Sequence, residues 1–110
     1  MNIITEEYIA TIISRLPSGA GFNSPWEHVG TSRTGTLHLR GGYQHMNPEG
    51  YYDGWVTVNL RVQYTGGTVC LPSDWRCTLG TDNVSRRVQR RDPGLREYIN
   101  DCIHEALRAQ

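Results

Sequence analysis

Apolar residues recur at intervals of three and four near the start of the chain, at Ile9, Ile12, Ile13 and Leu16. That spacing lays them on one stripe of a helix. Thr5 is a suitable N-cap, and Glu6 and Glu7 stand where the helix dipole favours anions. Pro17 ends the segment, and "SGAG" supplies the exit. The pattern then changes to period two. In "WVTVNLRVQY", residues 55–64, Trp55, Thr57, Asn59, Arg61 and Gln63 alternate with Val56, Val58, Leu60, Val62 and Tyr64. Alternation of this kind gives a strand with one apolar face and one mostly polar face.

Two further strands are expected before it, in "WEHVGTSR" and "TGTLHLRGGYQHM", with "NPEG" at 47–50 as the turn between the second and the third. "TGG" at 65–67 turns the chain again. "TVCL" and "WRCTL" offer a fourth strand, broken or bulged at Pro72. "GTDNVSRRVQRR" reads as a polar connector. A last helix is then expected from Asp92 as N-cap and Pro93 at its first position. Its stripe is Leu95, Tyr98, Ile99, Cys102, Ile103, Ala106 and Leu107. One apolar sheet face and two apolar helix stripes must bury one another. The expected fold is therefore α+β, an antiparallel sheet of three to four strands with an N-terminal and a C-terminal helix on one face. The other face, with Asn59, Arg61 and Gln63, is left for solvent or a partner.

With 110 residues, 37% of them hydrophobic and 20% charged, the chain is expected to form a single domain over 1–110. No apolar run is long enough to span a bilayer. The acidic start "TEEY" lacks the basic region of a signal peptide, so the cytoplasm is the expected location. Three cysteines, Cys70, Cys77 and Cys102, form an odd set that suits reduced thiols there. Six residues separate Cys70 from Cys77, unlike the close pairs of structural zinc sites. With His104, and with His28, His38 and His45 behind it, these cysteines give no ligand pattern, so neither metal nor cofactor is expected. A nucleophile and base could be assembled from Cys77 or Ser73 with His45 and Asp53, but no spacing supports them. The expectation is a protein without catalytic activity.

The net charge is zero, and all eleven basic residues are arginine. Residues 1–55 hold three arginines against five acids, and 56–110 hold eight against six. The dense cluster is "RRVQRR", with Arg86, Arg87, Arg90 and Arg91. It reads as a solvated connector, or as a patch for phosphate or acidic protein. A neutral chain favours protein over nucleic acid, because counterion release drives nucleic-acid binding.

Three segments, "LPSGAGFNSPWEH", "HMNPEGYYDGW" and "LREYINDCIHEAL", carry a resemblance. Together they resemble a group of small phage and prophage proteins. These share an "LPSGSG" loop followed by Asp or Asn, a "G-Y-Y-D-G" segment before a strand, and an amphipathic terminal helix. The resemblance implies a mobile-element origin and no particular activity. Here the loop reads "GAG", and Asn23 stands where an acid often follows.

The aromatic turn is the richest candidate for function. Tyr51, Tyr52, Asp53 and Trp55, with His45, would form a recognition patch, and Phe22, Asn23 and Trp26 would add a neighbouring loop. The competing reading makes the aromatics core caps, Asp53 an acceptor for backbone N–H groups and Gly54 a bulge. The "SGAG" glycines could turn N–H groups toward an anion, or could simply stop the helix, with Phe22 and Trp26 then packed against the core. The leading expectation is a phage-encoded protein that occupies a surface of a host bacterial protein, such as a component of a CRISPR defence. One alternative is a nucleotide-like ligand held between the "GAGFN" loop and the "GYYDGW" turn. Another is nucleic acid on Arg86–Arg91. A free strand edge or the polar sheet face also allows a homodimer.

Overall fold

Helix α1 spans Glu6–Arg15 and is capped by Thr5, whose Oγ1 accepts the Tyr8 N–H at 3.1 Å. The computed structural model describes residues 5–63 and 74–108. The strands that follow are β1 (Glu27–Thr31), β2 (Thr36–Met46), β3 (Tyr52–Gln63) and β4 (Trp75–Leu79). Helices α2 (Asn83–Arg91) and α3 (Leu95–Arg108) close the chain. The strands form one antiparallel meander in the order β1-β2-β3-β4. This is the α+β arrangement expected. The turn at 65–67, the "TVCL" segment and the break at Pro72 lie outside the described residues. None of the described helices is long and apolar enough to cross a membrane.

Register assigns the two faces of the sheet. Leu37 stands opposite Val62, Leu39 opposite Leu60, Gly41 opposite Val58 and Tyr43 opposite Val56. That face receives Ile12 of α1, Leu16 at its C-cap, and Leu95, Ile99, Ile103 and Leu107 of α3, all in one buried core. The opposite face carries Trp55, Thr57, Asn59, Arg61 and Gln63, as the alternation requires.

The expected connector at 82–91 is a helix. Asp82 caps α2 by accepting the Ser85 N–H at 2.9 Å and the Ser85 hydroxyl at 2.7 Å. Ser85 and Val88 are the buried positions of α2, and Arg86, Arg87, Arg90 and Arg91 are exposed. So narrow an apolar stripe leaves little periodic signal, although arginine and glutamine are good helix formers. Ser85 also joins α2 to the sheet, because its Oγ accepts the Thr57 N–H at 3.1 Å. Ser85→Ala would leave that buried donor unpaired. We expect a loss of about 1–2 kcal/mol in urea denaturation.

The start expected for the last helix also shifts. Asp92 does not cap α3 with its side chain. Its N–H donates to Val88 O at 3.0 Å and ends α2, and its carbonyl accepts the Leu95 N–H at 3.1 Å. Its carboxylate is turned to the sheet, where it meets His45.

Candidate functional site

The β2–β3 hairpin ends in the expected turn at 47–50. Asn47 Oδ1 accepts the N–H groups of Glu49 at 3.1 Å and Tyr51 at 2.9 Å, and the Gly50 N–H donates to Asn47 O at 3.0 Å. Just inside the turn the register slips. His45 pairs with Gly54 but Met46 pairs with Tyr52, so Asp53 is an extra residue on β3. A bulge of this kind breaks the alternation of side chains. In an unbroken strand Asp53 would face away from His45. Here its Oδ1 lies 2.6 Å from His45 Nδ1. Simple alternation would put Asp53 on the face of Trp55, and that reading is corrected by this slip. So is the expectation that Asp53 accepts backbone N–H groups.

His45 is nearly buried, and its other nitrogen, Nε2, lies 3.1 Å from Asp92 Oδ2. Arg91 Nη1 stands 3.7 Å from Asp53 Oδ2. The hairpin end is thus clamped to the junction of α2 and α3. Two carboxylates facing one imidazole require both ring nitrogens to donate, which makes the ring an imidazolium. Burial of His45 opposes its charge, but the hydrogen bonds and charges of Asp53 and Asp92 outweigh burial and raise its pKa above the ordinary value. Gly54 permits the approach of α2, because a Cβ there would stand 2.2 Å from Val88 Cγ2.

While charged, the clamped ring has no lone pair with which to take a proton. Its two nitrogens point apart, each to its own carboxylate, and do not converge on an ion. Among the described residues there is no group of three or more His, Cys, Asp or Glu side chains that could hold a metal. Cys77 is no better placed for chemistry. It lies opposite Leu60 on the helix-covered face, and burial pushes its thiol up to about 11 despite the nearby Arg96. A thiol of that kind is protonated at neutral pH and is a weak nucleophile.

The candidate aromatics separate into two groups. Tyr51 is 72% exposed and Tyr52 54%, and Met46, opposite Tyr52, is 50% exposed. They form an apolar end to the hairpin that the core does not use. Trp55, 38% exposed, lies on the polar sheet face. Of the two places open to Phe22 and Trp26, the contact surface and the core, they occupy the core. Phe22 packs edge-on against Tyr43 at 4.9 Å, and Trp26 Nε1 donates to Pro17 O at 3.0 Å. Their size explains that placement, since the loop after α1 must close one end of the core.

That loop follows the end of α1 at its C-cap, Leu16. The Gly19 and Phe22 N–H groups are spent on each other's carbonyls, at 2.9 and 3.0 Å. Asn23 remains exposed, and its Nδ2 donates to Gln44 Oε1 at 3.1 Å. Gln44 stands opposite Trp55 in register, so Asn23 and Trp55 are brought to one region. Between them lies a cleft of about 340 Å³ lined by Ser24, Pro25, Glu27, Arg40, Gly41, Trp55 and Thr57.

The sequence places His45 and Asp53 in the candidate site and Arg91 in a separate arginine patch, and it gives Asp92 no part beyond a helix cap. The available signal was Asp82, a good N-cap ahead of a run of helix formers, with Val84 and Val88 four apart. A helix over those residues would have aimed its C-terminal end at a neighbouring element. Compared with protein-family models, curated proteins and solved structures, the chain matches none.

Proposed function

We propose that this protein is a non-catalytic binding module that occupies a surface of a partner protein through the end of the β2–β3 hairpin. The supporting observation is the exposure of Tyr51 and Tyr52, held on a clamped bulge. Large, stiff aromatics fixed before binding lose little entropy when they dock. Arg91 reaches Asp53 at the same end. Arg91, at the end of α2, thus stands at the same end of the molecule as the tyrosines, and tyrosine and arginine are favoured interface anchors. Such a surface suits an acidic, partly apolar patch on the partner. Its biological setting, taken with the mobile-element pattern of the sequence, is inhibition of a host defence component.

Affinity capture of the tagged protein from bacterial lysate, with and without nuclease, tests this reading. A stoichiometric protein partner that survives nuclease is expected. The doubly substituted Tyr51→Ala, Tyr52→Ala protein should lose that partner by about a hundredfold or more in affinity, with its melting temperature nearly unchanged. Retention of the partner by the folded double variant would place the contact elsewhere. A second reading, a nucleotide-like ligand in the cleft beside Trp55, is supported by the size of that cleft. It predicts a rise in melting temperature with added nucleotide.

A further inference from the structure

The sheet face turned away from the helices has an order of its own. Register sets its side chains in rows across the strands. His38, Arg61 and Arg76 make one row, and Glu27, Arg40, Asn59 and Thr78 the next. Gln44 and Trp55 make a row nearer the hairpin end. None of the core residues lies in these rows, and the loop residues Ser24 and Pro25 border them beside Trp55 and Arg40.

Two features of this face bear on what it could bind. Arg61 and Arg76 stand directly opposite one another on β3 and β4. Like charges in that position repel, because the two Cβ atoms are about 5 Å apart. Among the described residues neither has an ion pair, although Asp74 lines the same cleft with Thr36 and Gln63. The second feature is Trp55. A Cβ at Gly42 would stand 1.8 Å from its Cζ2, so the six-membered ring fills the space above that glycine. The sheet supports one side of the indole and solvent reaches the rest.

We propose that this open face binds single-stranded nucleic acid. Arg61 and Arg76 take adjacent phosphates, and a base stacks on Trp55. Asn59, between them, and Gln44, opposite Trp55, keep their amide N–H groups for base edges while their oxygens are taken by His38 and Asn23. Arg40, held by Glu27 through Nε at 2.9 Å and Nη2 at 2.6 Å, presents a fixed guanidinium plane. Stacking platforms beside cationic rows are the general chemistry of single-strand recognition. An acidic peptide is a poorer fit, because an extended peptide pairs with a strand edge rather than a sheet face. The zero net charge is no objection. It is a sum over the chain: Glu6, Glu7, Glu97, Asp101 and Glu105 stand on α1 or α3, while this face sets Arg40, Arg61 and Arg76 against Glu27 and Asp74. This inference is independent of the tyrosine surface.

Fluorescence anisotropy with labelled oligothymidylate and oligouridylate of about ten nucleotides tests it. Binding of either strand is expected, and a preference between them separates DNA from RNA. Two phosphate contacts give a slope of about −1.4 in log affinity against log salt, or about a sevenfold loss from 50 to 200 mM. Trp55→Ala should weaken binding about tenfold or more. Arg61→Gln with Arg76→Gln should remove most of the salt dependence while holding or raising the melting temperature, since the repulsion is relieved. That pair decides the matter if Trp55→Ala fails to fold. Tyr51→Ala with Tyr52→Ala should bind as the parent does, so this surface and the tyrosine surface fail separately. No binding at 25 mM salt would overturn the proposal. So would equal affinity for a mononucleotide, equal affinity for an acidic peptide, or loss through Arg87→Gln with Arg90→Gln instead.

Discussion

Raising the pH from about 6 to about 9 is expected to lower the melting temperature, and His45→Ala is expected to abolish most of that dependence. In the unfolded chain His45 titrates near 6.5. In the fold its pKa is raised, burial being outweighed by Asp53 and Asp92. The native state therefore holds its proton more tightly. The stabilisation is complete below about 6.5 and is lost as the pH rises through the native pKa. The groups that face the ring are Asp53 from β3 and Asp92 from the α2–α3 junction, with Arg91 set against Asp53. Above the native pKa one nitrogen can no longer donate, and a carboxylate faces a lone pair. At pH 6, His45→Ala should cost about 3 kcal/mol, because Asp53 and Asp92 lose their shared cation. Fully buried pairs cost about 3–5 kcal/mol to break, and the 42% exposure of the Asp92 side chain sets this case at the low end. Denaturation curves at pH 6 and pH 9, for parent and variant, read both effects. Parallel pH profiles for the two proteins would refute the clamp as the origin of the dependence.

Leu60→Ala is expected to cost about 2–5 kcal/mol, a large part of the 5–15 kcal/mol that typical domains possess. Leu60 is fully buried on β3, flanked by Leu39 on β2 and Cys77 on β4. Its side chain points into the layer filled by α1 and α3, where helices on a twisted sheet cannot easily collapse into a void. Arg61, its neighbour in sequence, faces the opposite way. Arg61→Ala should leave the urea midpoint unchanged or higher. If both substitutions moved the midpoint down equally, the two-faced reading of β3 would be wrong.

The elements that could be read from the chain are those whose pattern reports burial directly. β3 alternates because one face is wet, and α3 repeats at three and four because one stripe is covered. α2 was hidden because Ser85 and Val88 alone are buried, and a serine does not register as apolar. Its role depends on Ser85 Oγ reaching the Thr57 N–H, a contact across 28 positions of sequence. The bulge at Asp53 was hidden for a related reason. "YYDGW" fits an unbroken strand and a bulged one equally well, and the choice is made by partners outside the stretch. Phe22 and Trp26 could not be placed from sequence, since a large aromatic in a loop suits a core cap and a contact surface alike.

Asp92 lies 47 positions beyond His45. A protein chain is made from its N-terminus, at about 5–20 residues per second. The hairpin is therefore complete while most of the C-terminal third is still unmade. Its tip can pair strand to strand, but it has no second carboxylate to close upon until the end of α2 has left the ribosome. The tyrosine surface is thus among the last parts of the newborn protein to become rigid, and any fragment that stops before residue 92 carries the tyrosines without their anchor.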